Sequence, residues 1–150
     1  MKRLTMTILT TAALALVFSA FAECVSAAEG PKVPPKDRVV AMYFHRTQRC
    51  PTCLKMGSYT EEAIKTGFAK QLTDRTVEFH YIDLQNEKNA AYAKAYKITG
   101  PALIVARIKD NRVAEYKNLK DIWSNVGDQK AFTKYVQHQI QAYRGQDTAN

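Results

Sequence analysis

A chain of 150 residues, 46% of them apolar, has enough material for one domain with a real core and too little for two. Its formal net charge of +8 favours encounters with acidic surfaces. Lys and Arg are scattered along it and not interleaved with exposed aromatics, so nucleic acid is not an expected partner.

The first residues, MKR, are basic, and ILTTAALALVFSAFA (8–22) is an apolar run followed by small residues. That is the pattern of a secretory signal peptide. A bilayer span needs about 20 apolar residues. This run is shorter, and no later segment could cross a membrane, so residues 1–28 are expected to be cleaved and no stable span to remain. Cleavage after Ala22 would keep Cys24, whereas the later cut expected here, after Ala27 or Ala28, removes it and leaves Cys50 and Cys53 as the only thiols. Losing Lys2, Arg3 and Glu23 with the signal lowers the charge from +8 to +7, so the mature domain stays basic. Export points to a periplasmic or other extracytoplasmic compartment, where a cysteine pair can persist as a disulfide.

EGPKVPPKD (29–37) combines three prolines with charge and reads as a linker. RVVAMYF (38–44) is a buried strand by composition and length, ended by the polar HRTQR. Apolar positions Leu54, Tyr59, Ala63, Ile64, Phe68 and Leu72 then recur at helical spacing. Pro51 suits a first helical turn. Gly57, with the capping-box pattern Ser58-Tyr59-Thr60-Glu61, predicts a kink and a second helical piece. VEFHYID (77–83) reads as a strand and QNEKNAAYAKAYK (85–97) as a helix, which completes a parallel crossover.

Thr99-Gly100-Pro101 breaks the pattern before another apolar strand, ALIVARI (102–108). Asp110-Asn111 joins it to RVAEYK (112–117) as a hairpin. Leu119, Ile122, Trp123 and Val126 form one helical stripe, expected to pack in the core. Gly127 and Asp128 read as a stop and a fresh N-cap, and Phe132, Tyr135, Val136, Ile140 and Tyr143 form a second stripe. RGQDTAN (144–150) reads as a polar tail. The expected order is β-α-β-α-β-β-α, an α/β domain over 38–143 with a central mixed sheet flanked by helices.

The two cysteines of HRTQRCPTCLK (45–55) sit where the first strand meets the first helix, with no acid anywhere from Arg38 to Thr60. Unpaired N–H groups and the helix dipole favour a thiolate there, and Arg46, Arg49 and Lys55 add positive charge. The C-x-x-C spacing allows a disulfide across one turn, with Cys50 at the exposed helix start and Cys53 inside. Three readings follow: a reactive dithiol, a clamp for a thiophilic metal or metalloid ion, or a purely structural disulfide. Zinc wants four ligands, and beyond the pair there are only His45, His80 and His138 with no second closely spaced set, so no metal site is assigned. An exposed loop is the expected place for His45, and packing or the surface for His80. Met56 and Tyr59 are expected in the helix core, and Asp83 as a cap for the turn after its strand.

The order of elements, the C-P-T-C at the first helix, IDLQNEKNAAYAKAYKI leading into Gly100-Pro101-Ala102, and the hairpin after it resemble the thioredoxin-like superfamily across roughly residues 38–143. More narrowly, YFHRTQRCPTCLKMGSYTEEAIKTGF and NLKDIWSNVGDQKAFTKYVQ resemble the small thioredoxin-like proteins grouped as the nitrophenyl compound nitroreductase subunit ArsF family. The resemblance implies a thiol–disulfide oxidoreductase in which Cys50 is the nucleophile and Cys53 the resolving cysteine. It implies that Pro101 is a cis-proline facing the Cys50–Cys53 disulfide, and that the Gly100 backbone pairs with an extended substrate segment. The expected partner is a protein thiol or disulfide, met by a monomer that needs no bound cofactor. Nothing in the sequence reads as a flavin or nicotinamide site, so nitroreduction is not carried over. Arg49 stands where thioredoxin itself has a tryptophan, and Val39–Phe44 holds no buried acid to take a proton from Cys53.

Overall fold

The computed structural model describes residues 33–145; the expected signal peptide with Cys24, residues 29–32 of the linker, and residues 146–150 lie outside them. Among the described residues four strands form one sheet: β1 (Arg38–His45), β2 (Val77–Asp83), β3 (Ala102–Lys109) and β4 (Arg112–Asn118). Their spatial order is β2-β1-β3-β4, with β1 parallel to β2 and both β1–β3 and β3–β4 antiparallel. This is the α/β arrangement expected from the sequence, a central mixed sheet flanked by helices.

The unbroken apolar run of β1 follows from its central place, because a strand covered on both faces has no position for a polar residue. Side chains alternate along it. Val39, Ala41 and Tyr43 join a core with Leu103, Val105 and the helices; Val40, Met42 and Phe44 join another with Ile82, Ile98 and Ile104. The first core is closed by α1 (Pro51–Gly67) and α5 (Gln129–Gly145), which supply Met56, Ala63, Ile64, Phe132, Val136 and Ile140.

Helix α1 runs straight through the expected kink at Gly57, and the break falls at Phe68 (φ −137°, ψ 33°) before the short α2 (Ala69–Thr73). The capping-box residues are used along the helix instead: Thr60 Oγ1 donates to the Met56 carbonyl at 2.8 Å, and Glu61 pairs with Lys65 at 2.6 Å. Gly57 serves packing, not bending. A Cβ there would stand 3.0 Å from Tyr43 Cε1 and 3.1 Å from Tyr81 Cε1.

The expected helix over 85–97 is shorter than its composition suggested, a 3-10 turn (Glu87–Asn89) leading into α3 (Ala90–Ala95). Asn86 Oδ1 accepts from the Lys88 N–H at 3.0 Å, which starts the turn two residues late, and Lys97 at φ 53° ends the segment. Asp110 and Asn111 both take positive φ (50° and 61°), as a two-residue hairpin loop requires. The linker end is strapped to that loop through Asn111 N–H to the Lys36 carbonyl (3.0 Å) and Asp110 N–H to Asp37 Oδ1 (2.8 Å).

The stripe over 119–126 gives a helix of only four residues, α4 (Ile122–Asn125). One turn can aim one residue inward; Ile122 is buried, and Trp123 is 48% exposed, contrary to the expected core placement. Asp128 Oδ1 accepts from the Ala131 N–H at 3.0 Å, the expected N-cap of α5. That helix extends through Gly145, two residues into the expected tail. No helix among the described residues is long and apolar enough to cross a membrane.

Replacing Gly57 by Ala sets a helix gain of about 0.5–1 kcal/mol against overpacking of about 1–3 kcal/mol on two tyrosine rings. A net loss of about 1 kcal/mol is expected in urea unfolding; a raised midpoint would show that the rings give way.

Candidate functional site

Strand β1 ends at His45, paired with Asp83 of β2, and the chain crosses five residues before α1 begins at Pro51. Cys50 is the N-cap of α1 (φ −72°, ψ 160°), an extended residue whose side chain faces the helix's unpaired N–H groups. Its Sγ accepts the Cys53 N–H at 3.2 Å. The two cysteines are joined as a disulfide with Cα atoms 5.1 Å apart. Cys50 is exposed and Cys53 is buried. An outer sulfur bathed in helix N–H dipoles and an inner sulfur one turn behind it form the asymmetric pair anticipated from the spacing.

Beneath the pair lies a group that sequence reasoning did not single out. The Tyr43 hydroxyl, fully buried, donates to the Cys53 carbonyl at 2.7 Å and so ties β1 to the first turn of α1. Burial pushes its pKa up to about 12, against the pull of the Arg49 cation, so it stays a donor at neutral pH. Alternation along β1 was the available signal, since it puts Tyr43 on the face that receives α1.

His45 is not an exposed loop histidine: it is buried as the last residue of β1. Its Nε2 accepts from Arg49 Nη2 at 2.7 Å and its Nδ1 meets the Arg46 carbonyl at 3.0 Å. The Arg49 guanidinium also lies 5.0 Å from the centre of the Tyr81 ring. Tyr81 in turn donates to Glu61 of α1 at 3.1 Å, and burial, then Glu61, raise its pKa to about 12. Arg46 and Lys55 are exposed. Arg46 lines a recess of about 260 Å³ with Leu84, Gln85, Ala93, Ile98 and Thr99.

Ala102 pairs with Phe44, so Gly100 and Pro101 come to the same end of the sheet at which the chain leaves β1 for the cysteines. A Cβ built on Gly100 meets no atom within 4 Å, which leaves that backbone approachable. Asp83 caps its turn as expected: Oδ1 accepts from the Gln85 N–H at 2.9 Å and Oδ2 from the Thr47 hydroxyl at 2.8 Å. These bonds hold its carboxyl below the usual range. Met56 is core and Tyr59 packs edge-on against Phe132 (5.6 Å), whereas His80 and His138 are on the surface. Among the described residues no group of three or more His, Cys, Asp or Glu is placed to hold a metal ion.

Substituting Tyr43 by Phe removes one buried hydrogen bond and keeps the ring, so a loss of about 1 kcal/mol in chemical denaturation is expected. An unchanged midpoint would show that the bond to Cys53 does not anchor the helix start.

No protein-family model matches the chain, and no curated protein matches it. Among solved structures, one described as the structure of a malarial protein is 16% identical, covers 61% of this chain and 97% of its own, and superposes with a TM-score of 0.37. Another, thioredoxin-2, described as a component of malaria parasite protein secretion machinery, is 15% identical, covers 63% of this chain and 86% of its own, and has a TM-score of 0.39.

Proposed function

We propose that the chain is an exported thiol–disulfide oxidoreductase that exchanges electrons with a protein partner through Cys50 and Cys53. The observation that carries this reading is Cys50, an exposed residue at the N-cap of α1, with Cys53 buried one turn behind it. In the reducing direction the Cys50 thiolate attacks a substrate disulfide, a Cys50–substrate S–S bond forms, and one substrate thiolate leaves. Cys53, giving up its proton, then attacks the Cys50 sulfur; the Cys50–Cys53 bond forms and the second substrate thiolate leaves. The substrate gains two electrons from the protein and two protons, one given up by Cys53 and one drawn from solvent, with no cofactor in the cycle. The oxidising direction is the same sequence reversed.

Pro101 and Gly100 are the proposed docking edge for an extended partner segment, supported by their position at the cysteine end of the sheet and the open space at Gly100. The narrower resemblance to the ArsF group supplies no step, because the electrons of this cycle come from thiols. A thiophilic-ion clamp would have two sulfurs to offer and no third ligand from a nearby His, Asp or Glu among the described residues.

Cys50→Ser is expected to abolish reduction of insulin disulfides, and Cys53→Ser to accumulate mixed disulfides with partner proteins, visible on non-reducing gels. Full function of both variants in the host would sink the catalytic reading. For export, N-terminal sequencing of the extracytoplasmic protein should begin at Ala28 or Glu29; recovery of an intact Met1 start would contradict it.

A further inference from the structure

The loop that presents Cys50 is held at two points. Its first half is fixed by Thr47, whose hydroxyl donates to Asp83 Oδ2 at 2.8 Å and whose N–H donates to Gln85 Oε1 at 3.0 Å. Its second half, next to Cys50, is held by Arg49, docked on His45 Nε2 at 2.7 Å and over the Tyr81 ring at 5.0 Å. The chemistry of these contacts sets the state of His45. A guanidinium only donates and a carbonyl only accepts. Nε2 must therefore be bare toward Arg49, and Nδ1 must carry the proton toward the Arg46 carbonyl.

We propose that Arg49 and His45 are positioning residues for Cys50, forming a clasp that is closed while His45 is neutral and opens when His45 is protonated. A second proton on the buried ring would set N–H against N–H between two cations, and Arg49 is the partner free to leave. The surroundings do not relieve that contact. Tyr43 on β1 and Tyr81 on β2 face the ring with centroids 6.4 Å and 6.0 Å away, and their hydroxyls stay neutral throughout the range. Arg46 adds positive charge from the loop, and Glu61 of α1 is engaged by Tyr81 and Lys65. Asp83 on β2 attracts both cations but already accepts from Thr47 and Gln85, and its charge cannot turn a donor into an acceptor. Opening would free the half of the loop that bears Cys50 while Thr47 still held the other half.

This role rests on the dithiol reading above. The test is the alkylation rate of Cys50 by iodoacetamide in the reduced full-length protein, followed by peptide mass spectrometry across the thiol range and downward in pH until the His45 imidazole has taken up its second proton. Imidazole resonances of the same sample report the titration of His45. The wild type should show a second break at the pH where His45 titrates. Below it the rate falls by roughly fivefold beyond the loss of thiolate, the low end for linked equilibria. His45→Gln, which keeps an acceptor and cannot titrate, should show a single break. Arg49→Ala removes the donor to His45 Nε2 and should lose the second break as well. A second break surviving in His45→Gln, or a wild-type profile in Arg49→Ala, overturns the clasp. A wild-type Cys50 unreactive at every pH overturns the dithiol reading and this role together, whereas a reactive Cys50 with matching wild-type and His45→Gln profiles overturns the clasp alone.

Discussion

The hydrogen bond from the Tyr43 hydroxyl to the Cys53 carbonyl, 2.7 Å long, joins the most buried strand of the protein to the first turn of the helix that carries both cysteines. Much else is arranged around it. Gly57 lets α1 lie against the Tyr43 ring, and Tyr81 meets that ring edge-on at 5.9 Å. Because β1 pairs on both sides and is buried on both faces, Tyr43 has little freedom, and the helix start inherits that rigidity. The inner cysteine is thereby fixed against the core while the outer one stays at the solvent boundary.

The electrostatics of the pair divide between backbone and side chains. The Cys53 N–H and the start of α1 act directly on the Cys50 sulfur. Arg49, immediately before it in sequence, is turned back onto His45 and Tyr81, so its charge acts from a fixed place. Arg46 and Lys55 are exposed, where solvent and salt weaken their reach. The contact made to the Cys50 sulfur thus comes from the helix start, the Cys53 N–H at 3.2 Å.

Strong local patterns were legible in the sequence. All four strands, the helix start at Pro51, the hairpin at Asp110-Asn111 and the N-cap at Asp128 lie where composition and turn chemistry placed them. What failed were features decided by contacts distant in the chain. Gly57 reads as a helix breaker locally, yet it answers to rings on β1 and β2. Trp123 fits an apolar stripe, but the stripe became a single turn with room for one inward residue. His45 follows a polar-looking boundary, and only its pairing beside Asp83 and under Arg49 buries it. The cysteine pair itself was visible as a motif; the tyrosine beneath it and the histidine beside it required the sheet register.

The most direct measurement is a redox titration of the Cys50–Cys53 pair against a glutathione or dithiothreitol buffer, read by thiol trapping. A working dithiol should equilibrate within the span of known exchange proteins, about −120 to −270 mV. A pair that stays fully oxidised below about −300 mV, where structural disulfides lie, would contradict the account.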